Sequence, residues 1–271
     1  MILFSNAKIN LGLQILRKRE DGFHDICSVF YPIPFHDIIE IHLVKDKRSG
    51  FSFTQSGLAI PGKISKNLCY RAWEVFSKRT GELSVRMHLH KRIPMGSGLG
   101  GGSSNGAFVL KALNELKGAP LSVQQLAELA AEIGSDCPFF IRNEAALVEG
   151  RGEILKNTNI RVEGFLVLLH PVLNISTAEA YRAVQPDAGR LNLEQLLSEP
   201  EEKWKSLVKN DFEKSIFKSH PLIKDLKEAL YQSGAFYASM TGSGSAVYGL
   251  FKSVVNLPDD IHKYIAWQGS I

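Results

Sequence analysis

The stretch "RIPMGSGLGGGSSNGAFVLKAL", residues 92–113, places six glycines and three serines in the thirteen positions from Pro94 to Gly106. Phe108, Val109, Ala112, Leu113 and Leu116 then keep helical spacing up to Lys117-Gly118, a C-terminal stop followed by Pro120. Before the stretch, "SVRMHLH" alternates as a strand does, with Val85, Met87 and Leu89 on one face. Glycines between a strand and a helix turn successive amides toward one centre, and the helix adds free N–H groups and the positive end of its dipole. The segment is therefore read as an anion cradle, against the plainer alternative of a flexible turn with Ser103 or Ser104 as helix cap.

Three phosphate-loop patterns compete for it. Gly96, Gly98 and Gly101 fit G-x-G-x-x-G, but the strand before them alternates, Pro94 intervenes, and a second helix stands where a dinucleotide fold needs its second strand. A protein-kinase loop requires H-R-D and D-F-G downstream, and neither triplet occurs. Gly57 and Gly62-Lys63 have P-loop separation, yet Ile64 replaces the Ser or Thr that holds Mg²⁺ and Pro61 removes an amide donor.

Outward from the cradle, the first third is strand-like. Ile9, Leu11, Leu13 and Ile15 share one face, "CSVFYPIPF" and "HDIIEIHLV" follow, and Asp21-Gly22 marks a turn. A helix is expected from Leu68, with Asn67 as cap and Gly81 as stop, and another from Ser122, where Gln125 completes a capping box, to Gly134. "AALVEG" and "GEILK" read as strands around Gly150. The polar run "KNTNIRVEG" near residue 155 reads as a boundary, giving domains at 1–155 and 156–271. Beyond it come a buried strand "FLVLLHPV", helices at Ser176, at "LEQLL" and at "HPLIKDLKEALYQSGA", a hairpin of "FYASM" and "AVYGLF" around "TGSGS", and a last helix at "DDIHKYI". The expected class is two-domain α+β.

The chain has 271 residues, 44% hydrophobic and 22% charged, so it is long enough for one large or two small cores, and its net charge of +4 is without basic runs that mark a nucleic-acid arm. Cys27, Cys69 and Cys137 are an odd number at irregular separations, which argues against a disulfide framework or a zinc site and for a reducing cytoplasm. The N-terminus lacks a signal-peptide pattern, and no apolar stretch approaches a membrane span. A cytoplasmic protein with no nucleic-acid or membrane partner is expected.

"PMGSGLGGGSSNGA" resembles the second motif of the GHMP kinases, the superfamily of galactokinase, homoserine kinase, mevalonate kinase and phosphomevalonate kinase. "AKINLGL" at residues 7–13 resembles its first motif, "REDGFHDICSVF" a substrate turn, "IGSDCPFF" the catalytic-aspartate segment, and "MTGSGSAVYGLF" the third motif, all in register from about Ser5 to Phe251. The expanded glycine run is similar to the branch that phosphorylates 4-diphosphocytidyl-2-C-methyl-D-erythritol in non-mevalonate isoprenoid precursor synthesis. The resemblance implies an N-terminal domain like domain 2 of ribosomal protein S5, a ferredoxin-like C-terminal domain, and phosphoryl transfer from ATP with Mg²⁺ in a monomer or weak homodimer.

On the same ground Lys8 and Asp136 are the catalytic pair. Pro94, Met95, Gly96, Ser97, Gly98, Leu99, Gly100, Gly101, Gly102, Ser103 and Ser104 wrap the triphosphate, with Asn67 and Lys91 toward the adenosine. Asn10, Phe23, His24, Phe30, Thr177 and Tyr181 hold the cytidine side, and Gly242 and Ser243 approach the substrate's phosphates. Phe23 stands where the family commonly has tyrosine. No side chain is assigned as a metal ligand. Taken without the resemblance, Asp136 reads as the cap of a short helix, Lys8 as a solvated edge charge, Asn67 as a helix cap, Lys91 as a surface lysine, Phe30 and Tyr181 as core, and 241–244 as a hairpin turn. The alternatives are a sister kinase acting on mevalonate or homoserine, and a nucleotide- or RNA-binding protein with an S5-like fold and no chemistry.

Overall fold

The computed structural model describes residues 1–45, 50–173, 175–182 and 184–271. In chain order the elements are β1 (Ile2–Lys18), β2 (His24–Leu43), β3 (Phe51–Gly57), α1 (Leu68–Thr80), β4 (Val85–Lys91), α2 (Gly101–Leu116), α3 (Val123–Ile133), α4 (Cys137–Arg142), β5 (Ala146–Gly150) and β6 (Ile154–Asn157). There follow β7 (Phe165–Leu169), α5 (Thr177–Arg182), α6 (Leu193–Ser198), α7 (Glu201–Leu207), α8 (Glu213–Ser219), α9 (Pro221–Gln232), β8 (Tyr237–Met240), β9 (Val247–Phe251), α10 (Asp259–His262) and β10 (Ile265–Ser270). Packing divides the chain into two compact units that interleave in sequence: Met1–Ala7, Phe35–Met95 and Gly100–Glu144 form the first, and Lys8–Pro34, Gly96–Leu99 and Ala145–Ile271 the second.

In the first unit β4 pairs antiparallel with the second half of β2, from Ile38 opposite His90 to Leu43 opposite Val85, and parallel with β3. The apolar residues of these strands alternate inward, Ile39 and Ile41 with Val85, Met87 and Leu89, all buried, and α1 to α4 pack together. Local signals set the helix ends: the Asn67 side chain accepts from the Cys69 amide at 2.9 Å, and the Ser122–Gln125 capping box forms in full. Helix α2 begins at Gly101, so the glycine-rich stretch divides into a loop and the first turns of a helix. Inside that helix the glycines save space, since a Cβ on Gly101 would lie 2.7 Å from Ile93 Cγ2 and one on Gly106 2.9 Å from Ile133 Cδ1.

In the second unit the first half of β2 pairs with β5, which pairs with β6. A separate antiparallel sheet runs β10-β7-β9-β8, the 4-1-3-2 order of a ferredoxin-like fold. Its core gathers Leu13, Ile15, Val167, Leu169, Ile223, Leu226, Leu230, Met240 and Val247. The 237–251 hairpin forms as expected, Pro221 opens α9, and Ser176 Oγ accepts the Glu179 amide at 3.1 Å just ahead of α5. The "DDIHKYI" segment differs: its helix ends at His262, and Ile265 already begins β10 on the edge beside β7. Among the described residues no helix is long and apolar enough to cross a membrane.

Candidate active site

Alternation along β1 gives one apolar face, but the opposite face is buried as well, with Lys8 3% and Asn10 1% exposed. Burying an ammonium is costly unless it is hydrogen-bonded. Lys8 Nζ donates to Asn10 Oδ1 at 2.6 Å and to the Gly98 carbonyl at 2.9 Å, and it stands 4.4 Å from the centroid of the Phe30 ring, itself buried. The solvated-edge expectation for Lys8 is therefore corrected. Asn10 is fixed in turn: its Nδ2 donates to Ser28 Oγ at 2.8 Å, its amide to Thr241 Oγ1 at 3.2 Å, and its carbonyl accepts from Tyr248 Oη at 2.6 Å. Thr241 Oγ1 lies 3.1 Å from Asn10 Oδ1 and 3.2 Å from the Gly98 oxygen. First, second and third motifs thus meet in one buried polar node.

That node aims the glycine loop. Ser97 O accepts the Ala246 amide at 3.2 Å, Gly98 O accepts Lys8 Nζ, and Leu99 O accepts the Lys8 amide at 3.0 Å. In a planar trans peptide the following N–H points opposite its carbonyl. Pinning three successive carbonyls therefore fixes the orientation of the Gly98, Leu99 and Gly100 amides, each turned away from the partner of the carbonyl before it. Positive φ at Gly96, Gly98 and Gly100 (63°, 79° and 70°) makes that orientation possible. Gly98 also touches the third motif so closely that a Cβ would sit 1.9 Å from Thr241 O.

The approach to the loop is held by a carboxylate that motif reasoning passed over. Asp37, 0% exposed, accepts the Arg92 and Ile93 amides on Oδ1 at 2.7 and 2.8 Å, and Lys91 Nζ together with Asn105 Nδ2 (2.9 Å) on Oδ2. Lys91, 2% exposed, also donates to Asn105 Oδ1 at 3.1 Å. Lys91 is therefore not the surface lysine of the plainer reading: its ammonium is buried and bonded to Asp37 and Asn105. The only sequence signal was a lone acid amid the apolar run "PFHDIIEI".

The serines differ from expectation too. Gly100 occupies the cap position of α2, so neither serine caps it. Ser103 hydrogen-bonds the thiol of Cys137, whose pKa burial pushes up to about 12. Ser104 Oγ is fully buried without a hydrogen-bond partner among the described residues. Asp136 precedes α4, yet its carboxylate makes no capping bond to that helix, so it is not the helix cap its position suggests.

On the expected cytidine side, His24 stacks on Tyr181 with centroids 4.7 Å apart and planes 22° from parallel, and Tyr181 meets Phe212 edge-on at 4.8 Å. Burial, then the nearby Lys18, hold the His24 pKa below its ordinary 6.5. Phe23 is 54% exposed with the Arg151 guanidinium 4.9 Å from its ring centre, and Thr177 is exposed. Phe30 and Asn10 are buried beside Lys8, within its node. Gly242 (φ 55°) is braced by Asn210 Nδ2, which donates to the Met240 and Gly242 carbonyls at 2.7 and 2.8 Å, while Ser243 is half-buried. Among the described residues no group of three His, Cys, Asp or Glu side chains is arranged to hold a metal.

This fold and these motifs define a small-molecule kinase of the GHMP class: residues 67–144 match the family model for the N-terminal domain of GHMP kinases, and residues 192–259 that for the C-terminal domain. A 4-diphosphocytidyl-2-C-methyl-D-erythritol kinase of Cytophaga hutchinsonii is 43% identical over 97% of this chain and 96% of its own, and one of Thermotoga maritima is 41% identical over 92% and 91%. A crystal structure of 4-(cytidine 5'-diphospho)-2C-methyl-D-erythritol kinase, 32% identical, superposes over 100% of this chain and 98% of its own with a TM-score of 0.84. A mevalonate kinase at 15% identity shares the fold, with a TM-score of 0.67. The chain belongs to the 4-diphosphocytidyl-2-C-methyl-D-erythritol kinase family.

Proposed function

We propose that this chain moves the γ-phosphoryl group of ATP to the 2-hydroxyl of 4-diphosphocytidyl-2-C-methyl-D-erythritol. The observation that carries this reading is the set of amides at Gly98, Leu99 and Gly100, oriented by carbonyls pinned to the first and third motifs. Phosphoryl transfer through a loose transition state needs positioning and charge stabilisation more than covalent chemistry, and such amides at the start of α2 supply both. Lys8 stabilises negative charge at the reacting centre, and Asp136 orients the attacking hydroxyl and accepts its proton late.

The glycine loop and the buried, unpaired Ser104 hydroxyl fit a phosphate-bound Mg²⁺, which takes most of its ligands from phosphates and water. When bound, that ion would neutralise phosphate charge. His24 reads the cytosine edge, and Tyr181 with Phe23 supplies aromatic surface for the ring. Thr177 and Ser243 line the substrate, Asn67 stands on the adenosine side, and Asn10, Phe30 and Lys91 act beneath the site by holding Lys8 and the loop. The boundary after residue 155 is proposed to separate the S5-like from the ferredoxin-like part, consistent with family matches on either side of it.

The test is ADP release with ATP and, in parallel, the cytidyl substrate, mevalonate and homoserine. Turnover of the cytidyl alcohol alone is expected, and turnover of mevalonate alone would overturn the reading.

A further inference from the structure

In the second unit, α7, α8 and α9 border an open cavity of about 450 Å³ lined by Lys205, Lys209, Lys224 and Lys227 and by the rings of Phe217 and Tyr231. Like charges do not gather in a concavity without cost. Lys205 is held over the Tyr231 ring, 4.3 Å from its centroid, and Lys209 Nζ donates to the Lys205 carbonyl at 2.5 Å. Lys227 lies 5.8 Å from the Phe217 centroid and 6.0 Å from that of Tyr231. The rings and the end of α7 thus hold the ammonium groups around the cavity.

Neutralisation is incomplete. Glu228 pairs with Lys224 at 3.4 Å and Glu213 with Lys227 at 2.7 Å, so four ammonium groups face two carboxylates and two positive charges remain. Glu213 is also shared, because its other oxygen accepts the Met240 amide at 2.9 Å and the Ser239 hydroxyl at 3.2 Å. Burial, then Lys227 and Lys205, hold the Lys209 pKa below its usual value, the mark of crowded positive charge.

The geometry points to a second anion site: the cavity between α7 and α9 takes a multiply charged phosphate anion of the diphosphate class, bound by Lys205 and Lys209 with Lys227 as its inner wall. The volume lies within the range of small-ligand sites, and lysines serve phosphate as mobile point charges. None of these residues belongs to the phosphoryl-transfer machinery described above, so the site goes beyond that activity.

The probe is inorganic pyrophosphate, titrated calorimetrically into the full chain saturated with a non-hydrolysable ATP analogue and cytidine diphosphate, so that the catalytic anion groups are already filled. One binding event is expected, weakened at least tenfold in Lys205→Gln/Lys209→Gln and falling steeply with added salt. Both lysines are exposed, so the variant should keep its thermal transition and its turnover without pyrophosphate. Absence of binding, or equal affinity in the double variant, would overturn the proposal.

Discussion

Lys8 Nζ donates to Asn10 Oδ1 at 2.6 Å in a site where both side chains are almost fully buried. This partner is a neutral amide, which orients the ammonium through a hydrogen bond. A carboxylate there would form an ion pair and spend the field that a transferring phosphoryl group needs.

Asn10→Asp tests this directly. The substitution keeps size and shape but sets a carboxylate against Lys8, and it breaks the Asn10 Nδ2 donation to Ser28. We expect kcat to fall at least tenfold while KM for ATP changes little, measured by steady-state ADP release.

Gly98 and Gly102 separate conformation from composition. At Gly98 φ is +79° and a Cβ would lie 1.9 Å from a backbone oxygen, so Gly98→Ala should lose ATP binding and at least ~2 kcal/mol of stability from strain and overpacking. At Gly102, in α2, the nearest atom to a Cβ is Leu68 Cδ1 at 3.8 Å, so Gly102→Ala should raise stability by about 0.5–1 kcal/mol. Urea unfolding of the two variants checks the contrast.

The pH dependence of substrate binding follows from His24. Its folded pKa lies below 6.5, so the ring is neutral at pH 7, and the native state binds fewer protons than the unfolded chain between the two pKa values. Stability from this group is complete above 6.5 and is lost as pH falls through the folded value. KM for the cytidyl substrate should rise over the same fall. An NMR titration of the ring should show the depressed pKa, and Lys18→Gln, which removes its second cause, should move it up toward 6.5.

How much of this was legible in the sequence depended on how far each cause acts along the chain. The Asn67 cap and the Ser122–Gln125 box involve neighbours two or three residues apart, so spacing alone disclosed them. The glycine loop was legible as an anion cradle, but the direction of its amides was not, because that depends on β1 and the third motif. The burial of Lys91 was not legible, and its plain reading as a surface lysine fails, because its partner Asp37 is 54 positions away on another strand. β10 was missed because Ile265–Ser270 is short and only partly buried, leaving little alternation to detect.

The three thiols should be inert in the native protein. Burial pushes Cys27 up to about 11 and Cys69 and Cys137 up to about 12, leaving almost no thiolate at pH 8. Iodoacetamide should label none of them over minutes at pH 8 and all of them after denaturation, as counted by intact mass. Rapid native labelling of any one would contradict the burial described.

The Asp37–Lys91 pair separates the worth of an ion pair from the cost of breaking it. With both side chains nearly inaccessible, Asp37→Asn leaves the Lys91 ammonium buried without its counter-charge, and a loss of about 3–5 kcal/mol is expected. It also loses the charge that holds the Arg92 and Ile93 amides at the start of the glycine loop, so KM for ATP should rise more than KM for the alcohol. Asp37→Asn/Lys91→Met removes the orphaned charge and should recover most of the stability, because a buried pair exchanged for uncharged groups of similar volume is often near neutral. The ATP defect should persist in that double variant, since the carboxylate that held the two amides is still missing. Recovery of stability together with ATP affinity would show that the pair acts on folding alone.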